Sequence, residues 1–222
     1  MERRTFVLKA HPGQREEAQA VIDALSGSLS ALCQRHGVEN FSIWGVGDYF
    51  FGYGEYTRLG GPEEPSETED APEEQESGLA LWETLSAALC ELAEPLCAPG
   101  TMTLMYRELG DIQADKSLIR HRVFAATLKR GCEAEYKRRH DALSAEKALA
   151  APGEDSNFTI WYGEGVLFGY CEKIVERLHE PTEAERAFAR AWESDQLELM
   201  DWLSDDVDWL TGERHEAMRR VL

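Results

Sequence analysis

Hydrophobic side chains recur every three or four residues over 14–36, at Ala18, Ile22, Leu25 and Leu29, which predicts a helix. Segments rich in β-branched and aromatic residues flank it and predict strands. In the first half the predicted elements are a strand at 4–10, a helix at 14–36, a hairpin of 41–44 and 49–56, a helix at 79–96 and a strand at 102–109. In the second half they are a strand at 121–128, a helix at 132–149, a hairpin within 157–173, a helix at 182–203 and a strand at 216–222.

The second half of the chain repeats the first. Asn40-Phe-Ser-Ile-Trp44 is matched by Asn157-Phe-Thr-Ile-Trp161, and Phe51-Gly-Tyr53 by Phe168-Gly-Tyr170 at the same offset. Further matches follow in the same order along both halves. An ordered series of matches predicts two copies of one unit of roughly 105 residues.

Each copy has the predicted order strand, helix, strand, strand, helix, strand, which is typical of a ferredoxin-like α+β unit. Its antiparallel sheet carries helices on one face, so the other face needs cover. The second copy can supply that cover within the chain. We therefore expect two tandem ferredoxin-like domains, 1–114 and 115–222, packed sheet to sheet as an α+β barrel.

The composition excludes two classes of partner. The 222 residues include 23 basic and 42 acidic side chains, a net charge of −19. This charge disfavours binding to nucleic acids and to anionic membranes. The chain has no apolar run of membrane-spanning length and begins without an apolar leader, so we expect a cytoplasmic protein. The five cysteines lack CxxC spacing and are predicted to be reduced, buried thiols.

An acidic segment interrupts the first copy. Residues 60–78 contain eight acidic side chains and three prolines, and no basic ones. Such a segment cannot bury apolar surface, which predicts a mobile loop between the hairpin and the second helix. It is either a solvated loop, an acidic lid over a cleft, or a docking segment for a basic partner.

Several segments resemble the L-rhamnose mutarotase family, whose members are small ferredoxin-like α+β barrel proteins. In the second copy these are Arg122-Val-Phe124, Glu135-Tyr-Lys-Arg-Arg-His-Asp141, Asn157-Phe-Thr-Ile-Trp161 and Leu167-Phe-Gly-Tyr170. In the first copy the matching segment runs from His36 to Trp44. The resemblance covers most of both copies through short motifs.

The resemblance implies catalytic roles for Tyr136 and His140, because the family's first helix carries a Tyr-x-x-x-His pair. Its His is the proposed proton-transfer residue and its Tyr lines the sugar site. Independently of the family, residues at i and i+4 share one helix face, and a His titrates near neutrality. The alternative is a solvated helix histidine. The first copy has Ala18 and Ile22 at these positions, which predicts one active-site cleft, in the second copy.

Aromatic and acidic residues of the second copy are further candidates for substrate binding. The strand aromatics Phe158, Trp161 and Tyr170 can either form barrel core or present apolar faces to a ligand. Trp202 is what remains of a tryptophan pair in the second helix of the family. Glu172, which is equivalent to Glu55, either has a structural or solvated role or orients the substrate.

The motifs exclude the common cofactor and metal sites. No histidine or cysteine spacing fits a metal, and no dinucleotide-binding, Walker or nucleophile-elbow sequence occurs. We therefore expect no cofactor and no metal.

Three functions stay open. The first is a mutarotase-like isomerase of a sugar or sugar-like ring. The second is a cyclase or cofactor-free oxygenase acting on an aromatic or cyclic metabolite. The third is a non-catalytic ligand- or protein-binding module. Because duplication makes the pairing of copies intramolecular, we expect a monomer with internal pseudo-dimeric symmetry.

Overall fold

A computed structural model describes residues 1–56, 73–147, 153–204 and 218–222 of the chain. The strands are β1 Glu2–Ala10, β2 Val38–Val46, β3 Tyr49–Tyr56, β4 Ala93–Cys97, β5 Thr103–Glu108, β6 Ile119–Leu128, β7 Asp155–Gly163, β8 Val166–Ile174, β9 Met200–Ser204 and β10 Arg219–Arg220. The α-helices are α1 Arg15–Arg35, α2 Glu73–Ala88, α3 Glu133–Lys147 and α4 Glu183–Leu197. Two short 3-10 helices are Lys116–Leu118 and Val175–Arg177.

The chain forms two compact units, each with one antiparallel sheet of five strands. The first unit contains Met1–Met102 and Arg219–Leu222, and its strand order is β10-β2-β3-β1-β4. The second contains Thr103–Met218, with the order β5-β7-β8-β6-β9. Four neighbouring strands in each sheet have the ferredoxin-like arrangement. The α+β prediction is confirmed, and the packing of one sheet on the other stays a prediction.

Each repeat contains one strand more than the sequence predicts. The segments 79–96 and 182–203 are not single helices, because β4 and β9 follow α2 and α4 and pair with β1 and β6. Pro95 lies within β4, at the edge of its sheet, where a strand tolerates proline. Glu73–Gly78, predicted as part of the acidic loop, form the start of α2. The rest of that loop, 60–72, lies outside the described residues.

The strands that end the two repeats pair outside their own repeat. β5, predicted as the last strand of the first domain, pairs with β7. β10 pairs with β2. The compact units therefore differ in extent from the repeats 1–114 and 115–222. Residues 216–217 of the predicted last strand are outside the described part of the chain.

The repeated Asn-Phe-(Ser/Thr)-Ile-Trp sequence has a structural explanation. Asn40 and Asn157 have positive φ angles of 50° and 47°, which asparagine tolerates better than most residues. Strand pairing is interrupted around each of them, as in a β-bulge. The side-chain amide of Asn40 donates to Glu55 (2.8 Å), and that of Asn157 donates to Glu172 (3.0 Å). The motif thus anchors a buried carboxylate in each sheet.

A second repeated feature joins a phenylalanine to a strand glycine. A Cβ atom on Gly52 would lie 1.9 Å from the Phe6 ring, and one on Gly169 would lie 2.1 Å from the Phe124 ring. No other residue fits at either glycine without moving the ring. The Phe-Gly-Tyr repeat is therefore a packing requirement.

The burial of side chains agrees only in part with the sequence predictions. Residues of α1, α2 and the sheet form the apolar core of the first unit. All five cysteines are free, and Cys90 is exposed, contrary to the expectation that all are buried. Among the described residues, no helix combines the length and the hydropathy needed to cross a bilayer.

Candidate active site

A cavity of about 260 Å³ lies in the second unit, between its sheet and the helices α3 and α4. Seven aromatic side chains besides His140 line it, namely Tyr106, Phe124, Tyr136, Phe158, Phe188, Trp192 and Trp202. Phe188 is 54% exposed, so the cavity reaches the surface at this position of α4. Aromatic and aliphatic side chains therefore make up most of the lining, with a smaller number of polar and charged groups among them.

Helix α3 brings Tyr136 and His140 together at the cavity, as the sequence predicts. They are one turn apart, and their rings lie 4.2 Å apart between centroids. His140 is only 3% exposed, and its ring also has edge contacts with Tyr106 and Trp192. The alternative of a solvated histidine is therefore wrong. The charged neighbours Arg138 and Glu135 pair with each other on the exposed side of the helix.

His140 is neutral at physiological pH and has one nitrogen available. Burial lowers its pKa to about 4. Its Nδ1 lies 3.0 Å from the backbone carbonyl of Tyr136, and since a carbonyl only accepts, the neutral ring carries its hydrogen on Nδ1. The lone pair is then on Nε2, for which no described residue is a hydrogen-bond partner. Nε2 can accept a proton from a bound molecule.

Tyr136 contributes a hydroxyl that stays protonated. Burial raises its pKa well above the ordinary value, and the side chain is 1% exposed. No described residue forms a hydrogen bond with this hydroxyl. Tyr106, by contrast, donates its hydroxyl to Glu108 at 2.6 Å. Tyr136 is therefore the tyrosine that can donate to a ligand.

Helix α4 supplies the opposite wall of the cavity. Its start is fixed by a capping box, in which Glu185 N donates to Thr182 Oγ1 and Thr182 N donates to the Glu185 carboxylate. The residues Trp192, Glu193 and Gln196 then follow at helical spacing on the inner side. Sequence analysis missed all three. The polar pair Glu193 and Gln196 beside an aromatic stripe was the available signal.

The two polar residues of α4 differ in their partners. Glu193 is 4% exposed and accepts a hydrogen bond from Trp202 Nε1 at 2.8 Å. Gln196 is 3% exposed, and neither its Oε1 nor its Nε2 has a hydrogen-bond partner among the described residues. Gln196 thus lines the cavity and has a buried amide that makes no hydrogen bond with the described residues.

One part of the cavity lining is ionic. Arg122, Asp155 and Lys173 are on neighbouring strands, and Lys173 Nζ lies 3.0 Å from Asp155 Oδ1. Burial alone would lower the pKa of Lys173. The carboxylates of Asp155 and Glu154 have the opposite and larger combined effect, so the pKa is above its ordinary value. This lysine is therefore a permanent cation engaged in ion pairs. No group of three or more His, Cys, Asp or Glu residues within the described ranges could hold a metal ion.

The cavity includes four of the seven residues predicted for the site. His140, Tyr136, Phe158 and Trp202 line it, whereas Trp161, Tyr170 and Glu172 do not. Side chains alternate between the faces of a strand, so Trp161 cannot share the face of Phe158, three residues away. Tyr170 and Glu172 likewise alternate with Cys171 and lie on the sheet face opposite the helices.

Glu172 is held in a network of its own. It is fully buried and accepts hydrogen bonds from Lys116 Nζ (2.9 Å), Tyr170 (2.9 Å) and Asn157 (3.0 Å). Its charge is matched by the lysine, as a buried carboxylate requires. These contacts support the structural alternative for Glu172.

The described part of the first unit lacks the chemistry of this site. Ala18 and Ile22 of α1, equivalent to Tyr136 and His140, are fully buried in apolar core. Strand pairing places Pro95 opposite Leu8, as Trp202 is opposite Ala126, so Pro95 is the equivalent of Trp202.

The sequence matches no protein-family model and no curated protein. Two solved structures are similar over nearly the whole chain. One is a candidate monooxygenase from Fusobacterium nucleatum subsp. nucleatum, with 6% identity and a TM-score of 0.43 over 98% of this chain and 95% of that one. The other is an anthrone oxidase-like protein, with 11% identity and a TM-score of 0.40 over 99% and 93%.

Proposed function

We propose that the second unit is an oxygenase that removes a proton from a planar aromatic substrate and allows the resulting anion to react with molecular oxygen. The observation that carries the proposal is the neutral His140, whose Nε2 has no partner among the described residues in a cavity lined by aromatic rings. A cofactor-free oxygenase acting on an aromatic metabolite is one of the functions that the sequence leaves open.

The lining favours an aromatic ligand over a sugar. A sugar has a hydroxyl on almost every ring carbon, and each buried hydroxyl without a partner costs free energy. Among the described lining residues, His140 Nε2, the Tyr136 hydroxyl and the Gln196 amide have no hydrogen-bond partner, whereas Asp155, Lys173 and Glu193 are already engaged. An engineered apolar cavity of ~150 Å³ binds benzene, so about 260 Å³ fits a ligand of about two fused rings.

The state of His140 does not support mutarotation. That reaction needs a proton delivered to the ring oxygen as well as one removed from the anomeric hydroxyl. With a pKa of about 4, only about one His140 in a thousand is protonated at pH 7. A base this weak requires a substrate whose proton is itself acidic, such as the hydroxyl proton of a phenol.

The proposed reaction is balanced with oxygen as the only co-reactant, as 1-naphthol illustrates. His140 Nε2 takes the hydroxyl proton, and the naphtholate carries negative charge at C4. The anion reduces O₂ in single-electron steps, the C4–O bond forms, and the peroxide oxygen takes up the proton. Loss of the C4 hydrogen as a proton then breaks the O–O bond, giving 1,4-naphthoquinone and water. Carbon is oxidised and O₂ is reduced.

Oxygen uptake with 1-naphthol tests the proposal. We expect quinone formation and equal oxygen consumption, both slowed by ~10²–10⁴-fold in His140→Gln. The matched control is His179→Gln, because His179 is exposed, pairs with Glu185 and does not line the cavity. This control variant should be as active as the wild type. If the protein bound 1-naphthol without taking up oxygen, the oxygenase proposal would be wrong, and the second unit would be a ligand-binding module.

A further inference from the structure

Gln196 is a polar side chain of the cavity lining to which the proposed chemistry gives no role. Its Oε1 and Nε2 are both buried and have no hydrogen-bond partner among the described residues. Two other polar side chains of the cavity lining are engaged: Glu193 accepts from Trp202, and Tyr106 donates to Glu108. The amide of Gln196 therefore has an unused acceptor and an unused donor.

The position of Gln196 gives no structural reason for an amide. It is 3% exposed and follows Trp192 by four residues, so it continues the inner face of α4. A leucine or methionine would fill a similar volume at this place without a polar group to satisfy. Buried amides without partners are rare in native proteins, and each calls for an explanation. A ligand that forms the missing hydrogen bonds provides one.

The chemistry of the amide defines what it recognises. A carboxamide presents an acceptor oxygen and a donor N–H side by side. Its complement is a neutral edge that carries a donor next to a carbonyl, as in a cyclic amide or a hydroxy-ketone. The nearby carboxylate of Glu193, four per cent exposed, disfavours an anionic edge at this place.

We infer that Gln196 is a specificity-determining residue, which selects planar aromatic ligands with a hydrogen-bond donor and a carbonyl adjacent on one edge. This inference rests on the aromatic substrate of the proposed function and adds its second polar feature. His140 acts on the ionisable group of the ligand, and Gln196 binds the donor–carbonyl edge.

The test compares two bicyclic ligands that are not substrates. 2-Quinolone carries N–H beside C=O, whereas quinoline has the same ring frame without the carbonyl. Binding is measured by quenching of tryptophan fluorescence, since Trp192 and Trp202 line the cavity. We expect the wild type to bind 2-quinolone about tenfold more tightly than quinoline. In Gln196→Met the preference should fall to about onefold, with the Kd of quinoline unchanged.

Two results would overturn the inference: equal affinities in the wild type, or a preference that persists in Gln196→Met. Should this variant fail to fold, the side-chain amide signals of Gln196 in the wild type decide, by NMR. They should shift on addition of 2-quinolone and not of quinoline, and identical behaviour with both ligands would refute the idea. Failure of the proposed function looks different, because neither ligand would then bind, or 1-naphthol would not be oxidised.

Discussion

Acidification should destabilise this protein through His140 in particular. An unfolded chain holds histidine at its ordinary pKa of 6.5, whereas burial lowers the pKa of His140 to about 4 in the folded protein. Between these values the unfolded state binds a proton that the folded state does not, so the free energy of unfolding falls as the pH falls. Above pH 6.5 this loss of stability is absent, and below about pH 4 it is complete.

The magnitude follows from the two pKa values. A difference from 6.5 to about 4 corresponds to about 3 kcal/mol of lost stability at full effect. At pH 5 roughly 2 kcal/mol of this is already lost. Because a typical domain is stable by only about 5–15 kcal/mol, a loss of this size is measurable.

The assay is urea unfolding of the wild type and of His140→Gln at pH 7 and pH 5. The carboxylates titrate alike in both proteins, so the difference between their pH dependences isolates the imidazole. We expect the wild type to lose about 2 kcal/mol more than the variant on going to pH 5. His179→Gln is the control with the opposite sign, because hydrogen bonding to Glu185 raises the pKa of the exposed His179. The stability that His179 contributes is present at low pH and is lost as the pH rises.

Equal pH dependences of the wild type and His140→Gln would refute this reasoning. His140 would then have nearly the same pKa in both states, and the cavity would be open to water at the imidazole. The proposed base would consequently be partly protonated near neutrality. An NMR titration of the His140 ring protons with an apparent pKa near 6.5 would contradict the reasoning in the same way.

Three further outcomes are expected. Gly169→Ala should lower the free energy of unfolding by about 1–3 kcal/mol in a urea titration, because the new methyl would overlap the Phe124 ring. Glu172→Gln should destabilise by about 2–4 kcal/mol, since it leaves the Lys116 cation without its carboxylate, while the Kd of 1-naphthol stays unchanged. Thr182→Ala should cost about 1 kcal/mol, read from the unfolding midpoint, because it removes the capping box of α4.

The features that agree with the sequence predictions are those that depend on local spacing. Tyr136 and His140 are one helical turn apart, so the sequence alone brings their side chains together. The duplicated hairpins could be located in the same way, through alternation and turn residues. By contrast, alternation separates Trp161 from Phe158 but does not reveal which sheet face the helices cover, so the faces of Trp161 and Glu172 could not be assigned from local spacing.

The errors concern short strands and distant pairing. A proline at position 95 should have ended the helix predicted over 79–96, because the residue before proline disfavours helix. For β9 no such breaker exists, and its strand conformation depends on pairing with β6. The pairing of β5 with β7, and of β10 with β2, joins segments that are far apart in sequence, and hydrophobic periodicity carries no information about it.

The place of β10 in the sheet has a consequence for how the protein is made. Arg219 and Arg220 pair with Gly45 and Trp44, so the partner of β2 leaves the ribosome long after β2 itself. Until then, the backbone groups on that side of β2 form an open edge, which can pair with a strand of another molecule. Translation that stops before residue 219 would leave every product with this edge exposed. The pairing of β10 therefore protects this edge of β2 only after residues 219 and 220 have been synthesised.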